Sequence, residues 1–114
     1  MPHGKGLNKV MLIGWVDGDP ELRYTPGGKP VAALSVATPR SWTSAEGETH
    51  EEMEWFSVVA WGPLAEICHK RLYDGQRVYV EGRLQTRGWE DEYGRKHFRT
   101  EVVAHEMIAL SDEN

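Results

Sequence analysis

The 114-residue sequence lacks the residues that would support covalent cross-links or a membrane span. A single cysteine, Cys68, excludes an intramolecular disulfide and any zinc site of the CxxC type. No apolar run approaches the roughly 20 residues that a membrane span needs. The chain begins with neither an apolar signal region nor an Arg/Ser-rich transit segment, so we expect a cytoplasmic protein without membrane contacts.

Motifs of catalysis and cofactor binding are missing as well. The sequence contains no P-loop, Rossmann glycine, HExxH or GxSxG pattern, and its five histidines lie in separate segments. His50 and the glutamates that follow it form one metal-like cluster, but neighbouring residues of a loop seldom converge on one ion. Cys68 is interpreted as a small buried hydrophobe. We expect no enzyme activity, no cofactor and no metal; a small hydrolase or metal protein remains an alternative.

The net charge of −5 argues at first against a nucleic-acid partner, but the acidic residues are unevenly distributed. Ten of them fall in three segments: Glu46, Glu48, Glu51, Glu52, Glu54, Glu90, Asp91, Glu92, Asp112 and Glu113. With these set aside, 8 acidic residues remain against 13 basic ones. The remaining charge predicts a basic track beside acidic loop tips; the alternative is a surface with scattered charges.

The order of predicted elements favours one all-β domain over residues 1–110, followed by a short stub at 111–114. Alternating or apolar runs predict strands at 7–16, 31–38, 55–61, 77–85 and 99–104, with shorter ones at 21–24 and 107–110. Gly14, inside the first run, predicts a bulge or a tight bend. Two polar segments interrupt the pattern. Residues 39–53 are a long loop or a protruding hairpin, and residues 86–96 are a second hairpin loop.

One helix is predicted at about residues 63–72. Pro63 suits its first position, and Gly75 is expected to end it. Its apolar stripe is predicted to contain Leu64, Ile67, Cys68 and Leu72. The order β-β-β-α-β-β is that of the OB-fold, a five-stranded Greek-key barrel with a helix that caps it. An SH3-like barrel or an open antiparallel sheet is the alternative.

The segment from Trp55 to Trp61 has two faces with different chemistry, because side chains alternate along a strand. Phe56, Val58 and Ala60 form the predicted core face. Trp55 and Trp61 lie on the other face, roughly 20 Å apart, with a serine between them. Two large rings on a partly polar face need either a flat partner or another subunit.

Aromatic residues interleaved with basic ones predict a stacking platform beside a positive groove. The predicted stacking residues are Trp42, Trp55, Trp61 and Trp89, and the predicted phosphate contacts are Lys9, Arg23, Arg40, Arg83, Arg87, Arg95, Lys96 and Arg99. Every base has a π-face, so stacking suits unpaired strands of any sequence. Trp42 has few apolar neighbours in sequence, which favours a contact role over folding back onto the domain. Trp89 and Tyr93 are expected to be exposed.

Several segments, in order, resemble the bacterial single-stranded DNA-binding protein family over about residues 5–108. They are 6–10, 18–24, 36–38, 49–55, 58–66, 78–89 and 100–104. The resemblance implies an OB barrel, a homotetramer built as a dimer of dimers, and protection of single-stranded DNA in replication, recombination and repair. It assigns stacking to the same four tryptophans and an oligomer interface to Asn8, Lys9, Phe56 and Tyr79.

The sequence also departs from the family pattern. Relatives often carry lysine at the positions of Pro63, Asp74 and Gly88, so some phosphate contacts are expected to be missing. Trp15 has no assigned counterpart and is packed or interfacial, and Phe56 belongs to the core, the interface or both. The usual linker and acidic tip that recruit replication and repair proteins do not follow residue 110, so we expect a tail-less relative or a shortened chain. A primosomal accessory protein that acts through protein or RNA contacts is the alternative function.

Overall fold

The computed structural model describes residues 4–111 and contains five strands and one helix over that range. In chain order they are β1 (Val10–Tyr24), β2 (Pro30–Thr43), β3 (Thr49–Trp61), α1 (Pro63–Arg71), β4 (Arg77–Glu90) and β5 (Lys96–Ala109). The acidic stub predicted at the C-terminus lies outside the described residues except for Ser111.

The strands close into a barrel in the order β1-β2-β3-β5-β4. β1 pairs with β2 along one edge and with β4 along the other, both antiparallel. A short parallel contact between β3 and β5, at Val58–Val102 and Val59–Val103, closes the barrel. This closure and the position of α1 between the third and fourth strands confirm the predicted OB-fold and exclude the open sheet.

The barrel interior is filled mainly by valine. Six valines are less than 2% exposed: Val16, Val36, Val58, Val78, Val80 and Val102. Branched side chains with a stiff χ1 suit the narrow space inside a five-stranded barrel. The predicted core face of β3 is confirmed, since Val58 and Ala60 are buried and Phe56 packs partly buried against them.

Helix α1 covers the barrel, but its buried face differs from the predicted one. Ala65 and Cys68 are buried, whereas Ile67 is 48% exposed. At about 100° per residue, Ala65, Cys68 and Leu72 share an arc of about 60°, and Ile67 lies about 100° outside it. The predicted end at Gly75 is also wrong. Leu72 caps the helix, and the Gly75 N–H donates to the Val16 carbonyl at 2.7 Å in the turn beyond.

β1 is one continuous strand, where the sequence predicted two. The register shift lies between Asp17 and Glu21, so the bulge predicted at Gly14 is wrong. Gly14 is needed for another reason: a Cβ there would stand 2.3 Å from the carbonyl oxygen of Ala37. A second shift, at Glu81–Gly82, leaves one extra residue, His105, on β5. Leu84, predicted to face inward with Val78 and Val80, is exposed.

The two polar segments are hairpins whose strands extend past the barrel. β2 and β3 stay paired as far as Thr43–Thr49, and β4 and β5 as far as Glu90–Lys96. Each hairpin ends in a five-residue turn, 44–48 or 91–95. The long-loop alternative for residues 39–53 is therefore wrong. Both faces of these ribbons are solvated, which removes the apolar alternation that marks a strand in sequence.

Candidate nucleic-acid interface

The outer face of β3 leaves its two tryptophans accessible. The side chains opposite them on β2 are small: Ala37 is paired with Trp55, and Val31 with Trp61. Trp55 is 60% exposed, and Trp61 is exposed to a lesser extent. The Lys29 ammonium lies 5.3 Å from the Trp61 ring centroid, a cation that sequence analysis did not assign. Each ring can therefore meet a flat ligand from solvent, and the predicted outward face is confirmed.

A groove of about 550 Å³ lies between the β1, β2 and β3 surface and the paired strands β4 and β5. Ser57 and Val59, which separate the two tryptophans on β3, form part of its floor. Arg23, Arg87 and Arg99 come from three different strands and all line this groove. The structure thus brings together three of the predicted phosphate-binding residues.

The three arginines differ in how their charges are compensated. Arg23 is paired with Glu21, its Nε lying 3.0 Å from Oε1, and Arg87 lies 3.6 Å from Glu101. Arg99 instead donates to the Ser57 hydroxyl. Within residues 4–111, no carboxylate lies within ion-pairing distance of Arg99, so its charge is the most available to an anion in the groove.

Glu101 is a site residue that sequence reasoning missed. Only 6% of it is exposed, yet it lines the groove and contacts Arg87. A buried carboxylate is rarely tolerated without a partner, and the Arg87 guanidinium, 3.6 Å away, is that partner here. The available signal was an acidic residue directly before the apolar pair Val102-Val103.

Trp42 lies on the β2–β3 hairpin and does not fold back onto the domain. Its ring stacks on His50 with centroids 5.3 Å apart, and the Arg40 guanidinium lies 4.8 Å from the ring centroid. Trp42 pairs with His50, whereas Trp55 lies five residues further along β3. Alternation therefore places Trp42 and Trp55 on opposite faces of the ribbon.

The acidic segment of this hairpin is not separated from basic charge. Arg40 lies 3.5 Å from Glu52 and 3.6 Å from Glu54. The predicted separation of a basic track from acidic loop tips is therefore only partly observed, because Arg40 lies among the acidic residues. Because these carboxylates compete for Arg40, it is less available to phosphate than Arg99.

The β4–β5 hairpin repeats this aromatic arrangement. Trp89 stacks on His97 with centroids 5.5 Å apart, and Arg87 lies 5.8 Å from the indole centroid. Phe98, which sequence analysis did not single out, is strongly exposed on the opposite face of the ribbon, beside Gly88. The exposure predicted for Trp89 and Tyr93 is confirmed.

Charged residues at the tip of this hairpin form hydrogen bonds with one another. Arg95 donates through Nε to Asp91 at 3.0 Å, and Nε2 of His97 lies 2.8 Å from the same carboxylate. The hydrogen bond with His97, followed by the one from the Arg95 backbone N–H, lowers the pKa of Asp91. Lys96 begins β5, and Arg83 is exposed on β4, each outside the groove.

A different surface carries two of the four predicted interface residues, Lys9 and Tyr79. The Tyr79 hydroxyl donates to Glu81 at 2.7 Å, His105 lies 2.7 Å from Glu81, and Lys9 lies 3.8 Å from it. The Tyr79 and His105 hydrogen bonds lower the pKa of Glu81. Lys9, predicted also as a phosphate contact, does not line the groove.

The remaining predicted interface residues lie apart from this cluster. Asn8 holds the segment before β1 against β4 by two hydrogen bonds to the Leu84 backbone, at 2.8 and 2.9 Å. Phe56 faces the barrel interior. Trp15 is partly exposed on β1, 5.9 Å from the Arg77 guanidinium.

Cys68 has the environment of a structural thiol. Burial raises its pKa to about 11, and its Sγ lies 3.2 Å from Sδ of Met107. Between residues 4 and 111, no three His, Cys, Asp or Glu side chains are grouped as a metal site would require. Over the same range, α1 is too short to cross a membrane.

A closed five-stranded barrel with a helix after the third strand defines an OB-fold protein. Its exposed tryptophans lie beside a groove lined by three arginines and four acidic residues. The chain belongs to the single-strand binding protein family, whose sequence model matches residues 7–110. Family membership confirms the resemblance seen in the motifs, and it confirms a binding protein rather than an enzyme.

Individual relatives agree with this assignment. Single-stranded DNA-binding protein 1 of Chlorobaculum tepidum is 47% identical over 107 residues, which are 93% of this chain and 66% of that relative. A structure of the Plasmodium falciparum SSB in complex with ssDNA superimposes with a TM-score of 0.89 at 32% identity, covering 96% of this chain and 100% of that one. A deletion mutant of the Thermus aquaticus single-stranded DNA binding protein superimposes with a TM-score of 0.84 at 36% identity. The match covers 94% of this chain and 52% of that one.

Proposed function

We propose that the protein binds single-stranded DNA without sequence specificity and protects it during replication, recombination and repair. The observation that carries the proposal is the open face of β3, where Trp55 and Trp61 flank a groove that three arginines line. The similar Plasmodium falciparum structure, described as a complex with ssDNA, supports the same partner. Such a role places the protein with DNA in the cytoplasm, beside replication and repair proteins.

The mechanism we infer combines stacking with neutralisation of phosphates. Bases lie against Trp55 and Trp61, while Arg99 and the other arginines of the groove face the backbone between them. Each stacked base contributes about 1–3 kcal/mol in single-stranded-DNA-binding OB-folds as a class. Duplex DNA keeps its base faces inside the helix, so it gains only the phosphate contacts. The preference for unpaired strands therefore comes from the tryptophans.

Trp42 and Trp89 extend this surface along the two hairpins. Both rings are exposed and lie on ribbons that project from the barrel. Because Trp42 is on the face of its ribbon opposite Trp55, a strand that contacts both has to pass around an edge of the hairpin. We infer that the bound DNA wraps the barrel and does not run straight across it.

Titration of intrinsic tryptophan fluorescence tests the proposed function. We expect dT oligomers to quench the fluorescence with a defined stoichiometry, and duplex DNA of equal length to quench it weakly. The affinity should fall as salt rises, with a slope of about 0.7 per phosphate neutralised on a single strand. No quenching by dT oligomers at low salt would contradict the proposal.

We also propose a homotetramer, built as a dimer of dimers through the outer surface of β1 and β4. Met11, Ile13 and Ile108 are exposed there around the cluster of Lys9, Tyr79 and Glu81, and an apolar patch of this kind is typical of an interface. Asn8 supports the surface by holding the start of β1 in place. Phe56, which packs against the barrel core, is also included in the proposed interface.

Sedimentation of Ile13→Glu against Tyr73→Glu tests the tetramer. The two side chains are similarly exposed, at 51% and 58%, but Tyr73 follows α1 and lies on neither β1 nor β4. We expect the wild type and Tyr73→Glu to sediment as tetramers and Ile13→Glu as a smaller species. A monomeric wild type at micromolar concentration would refute the tetramer, and a tetrameric Ile13→Glu would refute this surface.

A further inference from the structure

The two hairpins contain the same aromatic cluster, although their sequences differ. In each, a tryptophan is paired in register with a histidine: Trp42 with His50, and Trp89 with His97. The rings stack with centroids 5.3 and 5.5 Å apart and interplanar angles of 22° and 21°. The repeated geometry indicates a common device, which we name the Trp–His stack.

The position of the Trp–His stack relative to the turn is also the same. In both hairpins the tryptophan lies two residues before a five-residue turn, and the histidine lies two residues after it. An arginine stands two residues before each tryptophan, with its guanidinium 4.8 or 5.8 Å from the indole centroid. The sequence predicts the tryptophans and arginines as binding residues, but its pattern predicts no binding role for the two histidines.

We propose that His50 and His97 are positioning residues of the binding site, which hold Trp42 and Trp89 against a base and, when protonated, add positive charge beneath it. This inference rests on the proposed binding of single-stranded DNA. A flat ring below the indole limits its rotation, so the stacking surface is formed before DNA arrives. Because a protonated imidazole attracts phosphate, binding should take up protons and tighten as the pH falls through the range in which histidine titrates.

The surroundings of His50 contain both signs of charge. Nε2 of His50 lies 3.7 Å from a carboxylate oxygen of Glu48. Glu52, two residues along β3, contacts Arg40, which lies over the Trp42 ring. Glu48 therefore places a negative charge beside the imidazole, and Glu52 and Glu54 compensate the positive charge of Arg40.

The surroundings of His97 are similar, but the nearest carboxylate is closer to the ring than in the case of His50. Nε2 of His97 lies 2.8 Å from Asp91, whose carboxylate also accepts hydrogen bonds from Arg95. Arg87 lies near the stacked indole, and Arg99 is two residues further along β5. Because hydrogen bonds lower the pKa of Asp91, this carboxylate stays ionised near neutral pH, and its negative charge lies beside the His97 ring.

The expected size of the effect follows from counterion release. One more phosphate contact on a single strand raises the salt slope by about 0.7, which in about 0.1 M salt corresponds to roughly fivefold in affinity. Two protonated histidines therefore tighten binding by at most about 25-fold between about pH 8 and about pH 6. The salt slope itself should rise by up to about 1.4 over the same interval.

The test compares dT binding at about pH 8 and about pH 6, at constant ionic strength, for matched variants. Thymine and the phosphate diester do not titrate in this range, so any pH dependence belongs to the protein. The double variant His50→Phe with His97→Phe keeps a flat ring but cannot be protonated, and the corresponding double alanine variant removes both functions. His69→Phe, on α1 and outside both hairpins, is the control.

We expect the wild type and His69→Phe to bind more tightly at the lower pH. The double phenylalanine variant should match the wild type at the higher pH and lose the pH dependence, and the double alanine variant should bind more weakly at both. If the double phenylalanine variant retains the full pH dependence, or the double alanine variant binds like the wild type, the inference is wrong while the proposed function stands. Failure of the wild type to bind at either pH would overturn both.

Discussion

Replacement of Trp55 by alanine is the most direct test of the stacking surface. The indole is 60% exposed, and the residue paired with Trp55 on β2 is the small Ala37. Within residues 4–111, no aromatic ring stacks on Trp55, unlike Trp42 and Trp89. Its removal therefore leaves no buried cavity, and we expect the free energy of unfolding to change by about 0.5 kcal/mol or less.

The loss should appear in DNA binding instead. If one base stacks on Trp55, its removal costs about 1–3 kcal/mol, which corresponds to about a 5- to 150-fold higher Kd. The increase should persist at high salt, because stacking releases no counterions. An arginine substitution in the groove should behave differently, with a smaller salt slope.

Anisotropy of a labelled dT oligomer, measured at two salt concentrations, gives the Kd values. Tyr73→Ala is the matched control, because Tyr73 is 58% exposed but follows α1 and does not line the groove. Thermal melting of each variant establishes that it is folded. A folded Trp55→Ala protein that binds as tightly as Tyr73→Ala would refute the stacking assignment at this position.

Three further predictions concern the fold. Gly82→Ala should destabilise the protein by about 1–3 kcal/mol in urea unfolding, because its Cβ would stand 2.2 Å from a carbonyl oxygen of β5. Gly27→Ala, whose Cβ would lie 3.9 Å from its nearest neighbour, the Thr25 hydroxyl oxygen, should change stability far less. Cys68, whose pKa burial raises to about 11, should react slowly with a thiol reagent at pH values near neutral and rapidly once urea unfolds the chain; equal rates would contradict its burial. The hydrogen bond with His97 lowers the pKa of Asp91 most, and hydrogen bonds from backbone N–H groups lower it further. Because the pKa is lower in the folded state, ionised Asp91 stabilises the fold at pH values above its pKa in the unfolded chain, about 3.9. This stabilisation is lost as the pH falls below that value. The melting temperature of Asp91→Asn should therefore approach that of the wild type in acid, and a constant difference would contradict the shift.

The outward and inward faces of β3 could be predicted from sequence because alternation needs only neighbouring residues. The helix could be predicted in place, but its buried face could not. In a nine-residue helix, Ala65 and Ile67 lie on different faces, and only the packing of the helix on the barrel decides which face is covered. The hairpins were ambiguous because strands solvated on both faces have no apolar period.

The sequence by itself determined the family, the barrel and the four candidate tryptophans, since these depend on residue types in order along the chain. Only the tertiary structure decided which charges remain free and what supports each ring. The contact of Glu101 with Arg87 and the stacking of His50 on Trp42 join different strands. Such contacts follow from strand register, and register is set by closure of the whole barrel, so no local pattern in the sequence records them.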